Sequence, residues 1–177
     1  MFDFYTAGME YILKLNKSGI FFKEFYSSVV LTKMLTFDDP GYVDLRSPAG
    51  VGIGAILYNY NGKIYASDEG RMLAEMGDDT FCIGHLDKNS FIDVFTSDKL
   101  LNPLEDSITT SAPMCNDCAF ESYCGADPTY HYATSGDFLG KKPLSGFCNR
   151  NMKVFKYLLK LYRSDEQVKN IFHSWIS

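Results

Sequence analysis

Residues 42–67, YVDLRSPAGVGIGAILYNYNGKIYAS, decide the fold class. Alternating and apolar runs surround Asn61-Gly62, a dipeptide whose tolerance of positive φ suits a tight type I′ turn between antiparallel strands. The stretch therefore reads as a β-hairpin. Upstream, Tyr5, Met9, Ile12 and Leu13 recur at helical spacing until Asn16-Lys17-Ser18-Gly19 supplies a stop. Phe22, Phe25, Tyr26, Val29, Val30 and Met34 repeat the pattern as far as Asp38-Asp39-Pro40-Gly41, a turn cluster that no helix continues through. Downstream, residues 90–109 read as helical. The chain closes with two more helical stripes, Met152, Phe155, Leu158, Leu159 and Tyr162, then Val168, Ile171, Phe172, Trp175 and Ile176. A small hairpin packed among helices predicts the α+β class.

Composition narrows the function classes. The 177 residues are enough for about one domain, and 46% hydrophobic with 22% charged residues are globular values that exclude wholesale disorder. Seventeen Lys and Arg stand against 22 Asp and Glu, a net charge of −5, so no basic excess exists to neutralise phosphates and nucleic acid is not an expected partner. The longest nearly unbroken apolar stretch, Gly50 to Tyr58, is about half of the ~20 residues a bilayer-spanning helix needs, so no membrane association is expected. The opening MFDFYTAGMEYILKLNKSG has no positive leader before an apolar run and no small-residue cleavage site, which predicts a cytoplasmic protein. Five cysteines in a reducing compartment, odd in number and unevenly spread, suit metal ligation better than a disulfide framework.

Four of those cysteines fall in or at the end of residues 111–148, a stretch of little periodicity holding Pro113, Gly125, Pro128, Gly136, Gly140, Pro143 and Gly146. It reads as a loop of nearly forty residues. A loop that long is uncommon in a compact domain unless function or a cross-link holds it, so a metal is expected to order it. The donors are Cys115-x2-Cys118-x5-Cys124, followed after 23 residues by Cys148 at a helix start, where the positive end of the dipole favours a thiolate. Four thiolates are the usual complement for a tetrahedral zinc or for a 4Fe-4S cluster. Zinc sites usually pair two tight hooks, and only one CxxC occurs. Spacing alone leaves iron–sulfur, zinc and thiols that bind nothing all open. The CxxxCxxC signature of radical S-adenosylmethionine (SAM) chemistry is absent, because Ser111 stands where its first cysteine belongs and an alkoxide is a poor substitute for a soft thiolate.

Other motifs favour blander readings. Gly50-x-Gly52-x-x-Ala55 formally fits a dinucleotide fingerprint, but that motif works between a strand and a helix, and here a hairpin follows. His85, His131 and His173 are far apart and read as structural. The Tyr130-His131-Tyr132 cluster fits either a ligand surface or aromatic packing. Asp68-Glu69-Gly70-Arg71 reads as a solvated turn, and Cys82, between apolar neighbours, as a small buried side chain.

At the cysteine run, Cys115-Asn-Asp-Cys118-Ala-Phe-Glu-Ser-Tyr-Cys124-Gly and then Cys148, the sequence resembles the SPASM domain, the C-terminal auxiliary-cluster domain of peptide-modifying radical SAM enzymes. GYVDLRSP, DEGRMLAEMGD, GADPTYHYATSGDFLG and FCNR extend the likeness over nearly the whole chain, to the radical SAM maturase of the His-Xaa-Ser peptide system. The resemblance implies that residues 1–37 correspond to the end of a catalytic barrel, with the barrel itself missing, and that 38–177 form the auxiliary-cluster domain. It implies one 4Fe-4S cluster on Cys115, Cys118, Cys124 and Cys148. Ala49, Ser67 and Asp127 stand where ligands of a further cluster would be expected, and none is cysteine. The implied role is electron relay or peptide binding for an enzyme that modifies a ribosomally made peptide. The chain would not be catalytic alone; its implied partners are a peptide substrate and, if the enzyme is split rather than the chain being a truncated gene or an excised piece, a separate radical SAM core subunit. The rival is a zinc-binding structural or interaction module in which the same thiolates staple the loop.

Overall fold

Capping residues and apolar periodicity set the elements of the computed structural model, which describes residues 2–176. In chain order they are α1 (Phe2–Lys17), α2 (Phe25–Leu35), β1 (Leu57–Tyr58), β2 (Lys63–Tyr65), α3 (Asp68–Glu75), β3 (Cys82–His85), α4 (Phe91–Phe95), α5 (Asp98–Asp106), α6 (Pro128–Ser135), α7 (Gly146–Ser164) and α8 (Glu166–Ile176). Single 3-10 turns occur at Val43–Leu45, Thr109–Ser111, Glu121–Tyr123 and Lys142–Leu144. The α+β expectation holds at this level. The chain divides into two compact units, one built from residues up to Pro40 together with those from Cys148 onward, the other from Gly41–Phe147.

The first unit is helical. Helix α2 starts at Phe25, three residues later than the apolar stripe alone suggests, because the Glu24 carboxylate caps it, accepting from the N–H groups of Tyr26 (3.1 Å) and Ser27 (2.7 Å). Phe22 instead has its carbonyl tied back to the Asn16 side-chain amide at 2.7 Å. Met9 and Leu13 of α1, Val29, Val30 and Leu31 of α2, Val154, Phe155 and Leu158 of α7, and Val168, Phe172 and Trp175 of α8 are buried together as its core. A polar seam joins α1 and α2 through the hydroxyls of Tyr5 and Ser27 (2.6 Å), and Lys17 pairs with Asp165 at the α7–α8 corner. Burial at this seam raises the Tyr5 phenol above its ordinary value.

The second unit holds an antiparallel three-stranded sheet in the order β1-β2-β3, with Leu57 opposite Tyr65 and Lys63 opposite His85. The hairpin is present, but not with the expected two-residue turn. The Asn59 N–H donates to the Lys63 carbonyl and the Gly62 N–H to the Asn59 carbonyl, and of the turn residues only Gly62 has positive φ (82°). The connection is thus Tyr60-Asn61-Gly62, a turn closed by a left-handed glycine, and Gly62 also abuts the His85 ring. Ile64, Ala66, Phe81, Ile83, Val94, Leu100 and Leu104 form the core between sheet and helices.

Two further expectations are corrected. Asp68-Glu69-Gly70-Arg71 is the first turn of α3, not a solvated turn: the Ser67 hydroxyl caps it, accepting from the Gly70 N–H at 3.0 Å, and Gly70 presses its bare Cα on Phe81. Burial also holds the Glu69 carboxyl above the usual range. Residues 90–109 are two helices, because Ser90 and Asp93 form a capping box at α4 and the chain restarts at Ser97-Asp98 for α5.

Candidate metal centre

The stretch 111–148 is not one long loop. It contains α6, which the Asp127 carboxylate opens by accepting from the Tyr130 N–H at 2.8 Å, with Pro128 at the first helical position and left-handed Gly136 after the last. Before α6, the chain runs through overlapping turns that carry three of the cysteines. The N–H of Cys115 donates to Ala112 (3.0 Å), that of Cys118 to Cys115 (2.9 Å), that of Glu121 to Cys118 (3.0 Å) and that of Cys124 to Phe120 (3.0 Å). Met114 immediately precedes Cys115 with φ 67°, a left-handed conformation uncommon outside glycine.

Residues 44–49 hold this run from both flanks. The Thr109 N–H donates to the Ser47 hydroxyl (2.8 Å), the Thr109 hydroxyl donates to the Glu121 carboxylate, and the Ala49 N–H donates to the Ser107 hydroxyl (2.9 Å). On the other side Gly125 lies against the backbone of Asp44 and Arg46, where a Cβ would come within 2.5 Å of the Arg46 nitrogen, and the Ala126 N–H reaches the Arg46 carbonyl at 3.4 Å. Protein hydrogen bonds and close backbone contact, which the sequence pattern did not reveal, therefore order the cysteine run. Their signal in sequence is only a glycine after the third cysteine.

Cys115, Cys118 and Cys124 are half-buried and belong to the second unit; Cys148, also half-buried, lies in the first turn of α7 and opens the C-terminal segment of the first unit. No disulfide joins any of the five cysteines among the described residues. As donors, four thiols of intermediate exposure suit a thiophilic ion or cluster. Among the described residues no group of three or more His, Cys, Asp or Glu side chains that could hold a metal ion is found. Ser111, at the position of the missing signature cysteine, donates its hydroxyl to the Ile108 carbonyl at 3.0 Å in a local turn.

The three positions matched to a further cluster have other work. Ala49 is buried, Ser67 caps α3 and Asp127 caps α6. Cys82 is half-buried, not buried as expected. Strand alternation puts Phe81 and Ile83 into the core and turns Cys82 to the opposite face of β3, with its thiol 3.7 Å from the Gly84 carbonyl. The Gly50-Gly52 stretch makes a tight turn, with the Gly54 N–H on the Gly50 carbonyl at 2.7 Å and Gly52 against Leu100, and no helix follows it, so a phosphate has no helix N-terminus there.

The Tyr130-His131-Tyr132 cluster is packing. Tyr132 stacks on Phe138 (5.2 Å between centroids) and meets Phe81 edge-on, while His131 is 2% exposed against Phe147. Its Nε2 lies 2.7 Å from the Ser145 hydroxyl, and its Nδ1 has no partner. Burial first, then the nearby Lys142 ammonium, lower its pKa to about 4, so the ring is neutral at pH 7. His85 accepts from the Asp87 N–H through Nδ1, and its Nε2 faces the Asn61 carbonyl, whereas His173 pairs with the Tyr162 hydroxyl at 3.0 Å. No histidine approaches the cysteine run in these pairings. The sequence missed an open cleft of about 500 Å³ lined by Asp78, Asp79, Thr80, Asp98, Lys99 and Phe138; the Asp79 carboxylate also pairs with Lys63, which holds that carboxyl below the usual range. No helix among the described residues is long and apolar enough to cross a membrane. In comparison with known proteins, no family model, no curated protein and no solved structure matches the chain.

Proposed function

We propose that the chain is an auxiliary 4Fe-4S module of the SPASM type, serving a radical SAM enzyme that modifies a ribosomally made peptide in the cytoplasm. The observation that carries the reading is the run Cys115-x2-Cys118-x5-Cys124 on turns pinned at both flanks, its thiols half-buried and outside any disulfide, together with Cys148 in the first turn of α7. An iron–sulfur cluster supplies one-electron transfer when bound, and a cluster whose irons all carry cysteine has no open position for substrate. The chain's own residues would then bind and order a peptide or pass an electron, while a radical SAM core, on the same or another polypeptide, performs the hydrogen abstraction.

Zinc is the competing occupant, since the same four thiolates satisfy its tetrahedral preference. Anaerobic purification followed by iron, sulfide and zinc analysis with an absorption spectrum separates the two. About four irons and four sulfides per chain in a brown preparation support the proposal. Stoichiometric zinc in a colourless preparation replaces it with the structural module, and neither metal rejects both.

A further inference from the structure

We propose that the exposed face of α7 bearing Lys156, Lys160 and Arg163 docks an acidic polypeptide segment. Gly146–Ser164 carries Arg150, Lys153, Lys156, Lys160 and Arg163 and no Asp or Glu, in a chain whose other residues hold twelve Lys and Arg against 22 Asp and Glu. Lys156, Lys160 and Arg163 are spaced i, i+4 and i+7, so they share one face, and all three are exposed. With Leu159 and Ser164 they line a groove of about 430 Å³.

Several other basic groups of the protein are already paired. Lys17, Lys63, Arg71 and Lys169 pair with Asp165, Asp79, Glu75 and Glu166, whereas none of the three pairs with an acidic side chain among the described residues. Like charges at i, i+4 and i+7 on one helix face repel one another and destabilise it unless a counter-charge arrives. Leu159, half-buried between them, adds a small apolar floor, so the groove fits carboxylates flanking an aliphatic side chain.

Other polyanions fit less well. A nucleic acid would find three unpaired cations on a protein of net charge −5, too few to neutralise a run of phosphates, and no aromatic side chain lines the groove for base stacking. An anionic membrane would need apolar residues to insert, but Val154, Phe155 and Leu158 of α7 are buried in the core. The inference does not need the cluster reading, because the groove is formed by α7 alone. It does place an acidic segment on the helix whose first turn holds Cys148, about 12 Å along the axis from it at Lys156.

The test uses the full chain and a fluorescent twelve-residue peptide of alternating Glu and Leu, with the matching Lys and Leu peptide as control. Saturable binding of the acidic peptide alone is expected, weakening at least tenfold as salt rises from about 50 to about 200 mM. Lys160→Gln with Arg163→Gln should weaken it at least tenfold while leaving the helical circular dichroism intact, and Lys14→Gln on α1 should leave it unchanged. Lack of binding, equal binding by the double variant, or tighter binding of oligouridylate or anionic vesicles overturns the proposal. So does concentration-dependent self-association that the double variant abolishes, which would make a second copy the occupant. Metal-stripped protein should bind the peptide as well as loaded protein does, so a failed metal assay leaves this result standing.

Discussion

His131 shows how a residue's environment reverses its chemical promise. A histidine between two tyrosines looks like a ligand contact, yet here it is sealed against Phe147 with Gly140 pressed on its ring. The unfolded chain takes up a proton near pH 6.5, while the folded ring resists until about pH 4. The unfolded state therefore binds more protons between these values. Stability is full above about pH 6.5 and falls as pH drops toward 4, by about 3 kcal/mol in all as an upper bound. Glu69, whose carboxyl is raised by burial, titrates with the opposite sign and offsets part of the loss. Urea unfolding at pH 7 and pH 5 should show the drop, and His131→Gln should flatten it. An unchanged slope in that variant would assign the pH dependence elsewhere.

At the same scale, Cys148 and Cys82 are expected to part company. Cys148 supplies the fourth thiolate of the proposed set, while Cys82 sits on the outer face of β3. Cys148→Ala should lose most of the iron and expose residues 111–148 to proteolysis. Cys82→Ser should keep the iron and cost about 1 kcal/mol at most. Iron analysis of both variants decides it, and equal loss would make Cys82 a ligand.

At the scale of elements, two of the three positions where the resemblance would place ligands of a further cluster act as helix N-caps. Ser67 satisfies the Gly70 N–H and Asp127 the Tyr130 N–H. Ser67→Ala and Asp127→Ala should each destabilise the protein by about 1 kcal/mol, read as a lower urea midpoint with unchanged slope. Ser67→Asp and Asp127→Asn, which preserve a capping oxygen, should recover most of it if the side-chain acceptor is what matters. These caps also show why the sequence reading faltered between residues 68 and 135. Ser67-Asp68-Glu69 and Asp127-Pro128 are helix-start signals, but each lies beside a glycine or proline that also reads as a turn. Burial of Gly70 on Phe81 decided between the two.

At the scale of the whole molecule, the division into units makes a prediction of its own. Residues 41–147 are continuous in sequence and enclose the core of Ile64, Ala66, Phe81, Ile83, Val94, Leu100 and Leu104. The other unit is assembled from both ends of the chain. A fragment of residues 41–147 should therefore fold alone, with a cooperative thermal transition and dispersed amide resonances, whereas residues 1–40 alone should stay largely unfolded. A fragment without a transition would show that the sheet unit depends on the terminal helices. Charge follows the same division. The terminal segments carry ten Lys and Arg against seven Asp and Glu, and the central unit seven against 15.

What the sequence determined by itself was the set of strongly periodic elements. Met9 and Leu13, Val29 and Val30, Phe155 and Leu158, and Phe172 and Trp175 repeat at helical spacing and are all buried, because a helix of that pattern has one apolar side to hide wherever it packs. The hairpin and its left-handed glycine were legible for the same local reason, as was the cysteine spacing. Tertiary structure alone decided what had no local period: that Gly125 lies on the Asp44–Arg46 backbone, that Ser47 and Ser107 brace the cysteine run from residues about sixty apart in sequence, and that Cys82 faces outward while its neighbours face in. Such contacts join groups distant along the chain. Their free energy depends on burial and on hydrogen-bond partners that exist only once the chain has closed around them.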